Sequence, residues 1–429
     1  MEVKLAFGQN GLQVKLPERA MPTIIQKPKI KIPKDQNAVI NNAISSPIGS
    51  PSLISLAGVG KTVCILVCDI TRPVPNHLFL RPLIEELIIG GVLHKDILII
   101  IATGLHRPNE GTELEELIGD PWVTKNIRIQ NHFARDDASH SILGETKNRG
   151  VPVALDRRFV EADIKIATGL VEPHFMAGYS GGRKVIAPGI AHHETIRSFH
   201  ASRFMDSPYA TSCNLEKNPL HEEQLEIISM LDGPVLAVNT VIDECRNLIF
   251  ASFGDIVESH MVAVDFARIY CEISVGKKFK TVLTSSAGYP LDKTYYQTVK
   301  GMVTPLDILE DGGTLIIVSE CSEGFGSKEF RKSQERLIKL GPAAFFDSIK
   351  KNQLAAIDEW QTEMQLKPMR IGQIKLFSPM LVAADHSLTG VESIDDVCDA
   401  LLESFTFHND YNVAVIPEGP YIIPFSRMI

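Results

Sequence analysis

Two apolar runs in this chain end in groups able to bind an anion or move a proton. In ILVCDITRPVP the apolar residues give way to Asp69, Ile70, Thr71 and Arg72. A carboxylate, a hydroxyl and a guanidinium are presented together, and the planar fork of arginine suits a phosphate or a carboxylate. A structural Asp–Arg pair closing the turn is an equally good reading of this spacing. In DILIIIATGLHRP the run ends in a glycine and, two residues on, His106. An imidazole titrates near neutrality and can serve as acid or base. Isolated histidines are more often surface or satisfied core residues, but a place just beyond a buried strand favours a crevice.

The richest stretch is GLVEPHFMAGYSGGRKVIAPGI, which carries His174, Gly178, Ser180, Gly181, Gly182, Arg183 and Lys184. Glycine at this density lets backbone N–H groups approach an anion closely. The Gly-Lys spacing of a Walker loop is absent, so nucleoside triphosphate hydrolysis is not indicated. A mobile surface loop is the bland reading, and the apolar IAPGI tail argues against it. Lys184, among small residues beside Arg183, suits a lowered pKa and a covalent bond through a neutral amine.

Further on, AHHETIRSFH puts His193 and His200 seven residues apart, on one face if the segment is helical. The zinc pattern HExxH fails because Arg197 stands where its second histidine is needed. An imidazole here still suits a softer, tetragonal metal. In YPLDKTYYQTVKG, Gln297 and Lys300 lie three apart, so one helical face could hold a carboxylate by hydrogen bond and charge. A solvated helix face is the equally good alternative.

These residues need a scaffold. From about Thr62, short β-branched runs alternate with amphipathic stretches, the rhythm of βαβ units and a largely parallel sheet. The expected fold is α/β in two domains, each a largely parallel sheet flanked by helices, with the active site in the interdomain cleft. The first domain is expected over residues 1–272, joined by the tail 410–429, and the second over 273–409. The start, MEVKLAFGQNGLQVKLPE, reads as a β-hairpin about Gln9-Asn10-Gly11 rather than a signal peptide.

Composition narrows the function. At 429 residues, 44% apolar and 22% charged, the chain is an ordinary globular one with room for more than one core. A net charge of −9 offers no footprint for nucleic acid. No apolar run approaches the ~20 residues of a membrane span, and a cytoplasmic location is expected. The seven cysteines are scattered, without a CxxC pair, and read as reduced thiols, with Cys64 and Cys68 as packing residues of one strand face.

Taken in order, DITRP, ATGLHRP, EPHFMAGYSGGRK, the later His200 and YQTVKG closely resemble the nickel-pincer-dependent lactate racemase family. The resemblance implies a racemase or epimerase acting on a small 2-hydroxy acid. It also implies a nickel-pincer nucleotide cofactor, Ni(II)-pyridinium-3,5-bisthiocarboxylic acid mononucleotide. By the family pattern Lys184 is the covalent attachment point and a nickel ligand, and His200 is the second metal ligand. Asp69, Ile70, Thr71 and Arg72 would cradle the cofactor with Gly178, Ser180, Gly181 and Gly182. His106 and His174 would be the catalytic acid/base pair. Arg72, Tyr296, Gln297 and Lys300 would bind the substrate. Cofactor-synthesis enzymes are the implied transient partners.

The chemistry is consistent with two histidines. Removing a proton beside a carboxylate leaves a dianion, whereas removing hydride leaves a stable planar 2-oxo acid, and a pyridinium tuned by nickel is a suitable acceptor. One imidazole then handles the hydroxyl proton of each enantiomer. Two other classes compete: a non-catalytic carrier of nickel or of the nucleotide cofactor, and an NAD-type dehydrogenase. The second is disfavoured because no GxGxxG opens a helix after the first strand. Malate, an aryl lactate or a sugar acid competes with lactate as substrate.

Overall fold

The computed structural model describes residues 1–427. The chain forms two compact units. The first comprises Lys29–Phe199 and Asn214–Ile269, the second Met1–Pro28, His200–Cys213 and Tyr270–Ile429. The strands of the two large sheets are, in chain order, β1 (Met21–Ile24), β2 (Val63–Cys68), β3 (Ile97–Ala102), β4 (Arg128–Asn131), β5 (Ile164–Leu170), β6 (Val235–Ile242), β7 (Leu248–Asp255), β8 (Phe279–Ser285), β9 (Leu309–Val318), β10 (Gln373–Phe377), β11 (Glu392–Ser393) and β12 (Asn412–Ile416).

In the first unit the order is β7-β6-β5-β2-β3-β4, parallel except for the edge strand β7. Val63–Val67 and Ile97–Ile101 are buried on both faces, which is why these strands read as continuous apolar runs rather than alternating ones. The helix Asn76–Ile89 lays Phe79, Leu80, Leu83, Ile84 and Leu87 on the core formed with Ile65, Val67, Ile99 and Ile101. Phe79→Ala removes a fully buried ring there and should cost about 3–5 kcal/mol. The check is a urea titration, in which the midpoint falls and the slope is unchanged.

After β2 the chain adds β3 and β4 on one side and then β5 and β6 on the other. Strand order therefore reverses between β2 and β5, and a crevice opens at the carboxyl ends of strands at such a point.

The second unit carries β11-β10-β9-β8-β12-β1, with every pairing parallel. The expected N-terminal hairpin forms, pairing Glu2–Leu5 antiparallel with Leu12–Lys15. Its Val3, Leu5 and Val14 pack with Leu283, Ile316, Leu401 and Val413. Asp292 fastens this corner, because its Oδ2 accepts from the N–H groups of Gly8 (2.7 Å) and Glu320 (3.2 Å).

This partition departs from the expected one. The break near residue 270 is close to 272, but residues 1–28 and the tail belong to the second unit. The reason is strand pairing: β1 runs parallel to β12, and Ile423–Phe425 runs parallel to Glu272–Ser274. Among the described residues no helix is long and apolar enough to cross a membrane.

Candidate active site

Three adjacent parallel strands, β5, β2 and β3, deliver the expected residues of the first unit to one edge. Asp69 follows β2 directly and is buried. Its Oδ1 accepts from the N–H and hydroxyl of Thr71, while its Oδ2 accepts from Nδ1 of His106 at 2.6 Å. Burial alone would raise the Asp69 carboxyl, but the His106 and Thr71 bonds and the charge of Arg72 outweigh it and hold the carboxyl below its ordinary value. The His106 ring lies beyond β3, largely open to solvent, with Nδ1 committed to Asp69. Nε2 is thereby left as the lone-pair nitrogen.

Arg72 Nη1 donates to Glu172 Oε1 at 2.6 Å, which ties the β2 loop to the loop after β5. Ile70 contributes its backbone, donating N–H to Oδ1 of the buried Asn109 at 3.2 Å. His174, buried just past β5, is held the opposite way from His106. Its Nδ1 accepts from the N–H of Ala177 at 3.2 Å, so the neutral ring carries its proton on Nε2.

The glycines of this loop answer to packing and backbone. Gly178, Gly181 and Gly182 have φ of +77°, +77° and +49°. A Cβ at these positions would strike the Asn214 carbonyl, Val171 and His260, respectively. Ser180 Oγ is engaged inside the loop, donating to Leu170 O at 2.7 Å and accepting from Glu172 N–H at 3.1 Å. Arg183 is fully buried and staples the loop, donating through Nη2 to Ala177 O (3.0 Å) and Tyr179 O (3.3 Å). His260 completes the staple by donating Nε2–H to Ser180 O at 2.8 Å.

Lys184 follows on the short helix Arg183–Ile186. Desolvation, then the charges of Arg72 and Arg183, bring its amine down to about 7. Among the described residues its Nζ has no hydrogen bond or ion pair. A half-neutral, uncommitted primary amine is what acylation at nitrogen requires, so the donor set fits a lysine-tethered group. Cys68 nearby is a different case: burial pushes its thiol up to about 12, so it offers no thiolate.

The remaining residues lie in the second unit. Tyr296, Gln297 and Lys300 are on the helix Tyr295–Val303, which follows β8. The Oε1 of Gln297 is buried without a hydrogen-bond partner. His200 does not continue a helical face from His193, because that helix ends at Phe199 and His200 is buried in the second unit. Its ring instead lies 4.7 Å from Trp360, whose Nε1 donates to the Tyr296 hydroxyl at 3.3 Å. Gln361 adds a bond from Nε2 to Tyr296 O at 2.5 Å.

The structure thus brings Asp69, Thr71, Arg72 and His106 together, with Glu172 bonding Arg72 from the loop that carries His174. Separately it brings His200 and Tyr296 onto one indole. Sequence reasoning gave no role to Glu172, Arg183, His260 or Trp360. Trp360 had one available signal, being one of only two tryptophans. In the first unit, Asp69→Asn should leave the fold intact and lower turnover about 10-fold to 100-fold, since an amide no longer fixes the His106 tautomer. Steady-state kinetics with a pH profile checks this, and the profile should shift as well as fall.

Comparison with known proteins gives a consistent picture. The family model for the lactate racemase N-terminal domain matches residues 7–212, and that for the lactate racemase C-terminal domain matches 276–423. The lactate racemase of Thermoanaerobacterium thermosaccharolyticum is 33% identical over 98% of both chains. That of Lactiplantibacillus plantarum is 32% identical over 69% of this chain and 68% of its own. Among solved structures, the T. thermosaccharolyticum lactate racemase apoprotein superposes with a TM-score of 0.89 at 27% identity, covering 99% of this chain and 100% of the other. A Thermotoga maritima protein at 15% identity (TM-score 0.65, 87% and 96% covered) shares the fold.

Proposed function

Because the chain belongs to the lactate racemase family, we propose that it racemises or epimerises a 2-hydroxy acid at carbon two, with His106 and His174 as the acid/base pair. The enzyme class is isomerase. The observation that carries the reading is the opposed hydrogen bonding of the two rings. His106 donates a hydrogen bond from Nδ1–H to Asp69, and His174 uses Nδ1 as an acceptor from Ala177. One Nε2 therefore presents a lone pair and the other an N–H in the neutral protein, and whichever ring acts as acid does so as imidazolium.

The cofactor of this reading is the nickel-pincer nucleotide joined to Lys184, with His200 as a metal ligand. The lowered amine of Lys184 suits the acylation that would tether the group, and the buried imidazole of His200 would offer a nitrogen to the nickel. When bound, the group supplies an acceptor for the hydrogen and electron pair of carbon two. Asp69, Ile70, Thr71 and Arg72 would face its nucleotide portion, with Gly178, Ser180, Gly181 and Gly182 fixing the loop that carries Lys184.

The protein's own residues do the rest. Arg72, braced by Glu172, has a guanidinium for the substrate carboxylate, and Tyr296, Gln297 and Lys300 supply further donors. His106 Nε2 accepts the substrate hydroxyl's proton from one enantiomer while Asp69 stabilises the resulting imidazolium. His174, which must enter this half of the reaction as imidazolium, returns a proton to the oxygen of the planar 2-oxo acid as that acid is reduced on its other face, and is left neutral. For the mirror-image substrate the two rings exchange duties.

The test uses protein made together with the cofactor-synthesis enzymes and single enantiomers of lactate, malate, an aryl lactate and a sugar acid. Each carries deuterium at carbon two, and the reaction runs in ordinary water. Racemisation of one of them with the label retained is the expected result. Label washed out to solvent would refute the hydride reading.

A further inference from the structure

The first unit holds a second group of metal-ligating side chains that takes no part in the reaction proposed above. It lies where the turn Asp136–His140 meets His192 and His193. Asp137 Oδ1 accepts from His192 Nε2 at 2.9 Å, and the His192 and His193 ring centroids are 4.2 Å apart. One ligand atom from each of Asp137, His192 and His193 lies within 4.8 Å of the other two. Backbone bonds fix this frame: His192 N–H donates to Ala154 O (2.9 Å) and His193 N–H to Ala134 O (2.8 Å).

Behind His192 the imidazoles continue. The His140 ring stands edge-on to it at 5.0 Å, and His132 lies 5.2 Å from His140. His132 is satisfied at both nitrogens, by Asp156 at 3.0 Å and by the Ala191 carbonyl at 3.2 Å. His140 is not. Its Nδ1 donates to Asp136 O at 2.7 Å, while its Nε2 is buried and has no partner. Burial, then the neighbouring His192, lowers His193; burial lowers His140 as well, with the charges of His132 and His192 adding to it. Packed imidazoles that resist protonation keep their lone pairs, the form in which histidine binds a metal.

We propose that Asp137, His192 and His193 bind one borderline divalent transition ion, of the class of Zn(II) and Co(II), with water completing the shell. Two imidazoles and one carboxylate suit such an ion, whereas Ca(II) and Mg(II) take oxygen donors. Ligand bonds of about 2.0–2.2 Å require the three donors to draw together. Asp137, whose side chain is 87% exposed, is free to rotate for this. With the ion on His192 Nε2, the proton there moves to Nδ1, so the ring stays neutral. The bond given up at Nδ1 is the weak 3.3 Å one from Glu194 N–H. The ion would pin the turn at Asp137 to the start of the helix His193–Phe199.

The full chain, made without the cofactor-synthesis enzymes and stripped with a chelator, is titrated with Co(II) alone and with Zn(II) alone. One equivalent of Co(II) should give visible d–d bands without a thiolate charge-transfer band, Zn(II) should displace it, and the thermal midpoint should rise. Asp137→Asn and His193→Gln should each weaken binding about 10-fold to 100-fold, and His200→Ala should leave it unchanged. Asp137→Asn alters an exposed side chain, so circular dichroism matching the parent separates loss of a ligand from loss of fold. Absence of binding, a thiolate band, or affinity that survives both substitutions would overturn the site.

Discussion

Replacing His174 with alanine lowers kcat/KM by about 10²–10⁴-fold, the usual range for removing a positioned acid or base, and by the same factor for either enantiomer. The equality is a matter of thermodynamics. Enantiomers have equal free energy, so forward and reverse kcat/KM must stay equal in any variant that still racemises. A variant impaired in one direction alone would mean the assay is following another reaction. The same holds for His106→Ala.

The two histidines differ in what their removal leaves behind. Alanine at 174 strands the Ala177 N–H that Nδ1 now accepts, and a buried unsatisfied donor costs about 1–3 kcal/mol. His174→Asn restores an acceptor near the Nδ1 position without a titratable nitrogen. It should regain the stability lost by the alanine variant but not the activity. At 106 the corresponding variant is His106→Asn, whose amide can still donate to Asp69. Thermal melts beside racemisation rates with single enantiomers decide the point. Recovery of activity in either asparagine variant would remove the acid/base assignment.

Much of this was legible in the chain because it is local. The runs before Asp69 and His106 are apolar on both faces, which only interior parallel strands are, and a residue just past such a strand must lie at a sheet edge. Glycine density before Lys184 marked an unusual backbone, and φ is positive at Gly178, Gly181 and Gly182. Its cause was less legible. A loop that approaches an anion and a loop packed on Val171 and His260 need glycine for the same steric reason.

Partners distant in sequence could not be read. The short MPTI segment carries no apolar/polar alternation and names no neighbour, so the pairing of β1 with β12 across almost the whole chain had no local signature. It moved the N-terminal hairpin into the other unit. Likewise Asp69 and His106 are each visible as reactive types, but their 2.6 Å bond spans 37 residues and depends on β2 and β3 being adjacent. Trp360 reaches His200 from the helix Glu359–Ile371, whose polar residues Gln361, Thr362 and Gln365 are buried without any local sequence signal for it. Seven-residue spacing placed His193 with His200 only as long as the helix ran on, and it stops at Phe199.

Lys184→Arg should abolish turnover and the cofactor's covalent mass together, while the protein stays folded. Arginine keeps a side chain of similar length but sets a full cation where desolvation, Arg72 and Arg183 leave the lysine half neutral, so some stability is lost and circular dichroism checks that the variant is folded. It cannot be acylated, because its guanidinium does not deprotonate in a protein. The lysine can, since desolvation has already brought its amine to about 7; roughly half is neutral at pH 7, against less than about 0.1% for an ordinary lysine of pKa about 10.4. The sign follows: attachment gains as pH rises through 7 and fails below it, where the folded protein holds the amine charged. Intact mass spectrometry of parent and variant, each made with and without the cofactor-synthesis enzymes, reads the attachment directly. Added mass on the parent and none on the arginine variant is the expected pair of results. Full activity in a parent whose mass matches the bare chain would show that Lys184 holds nothing.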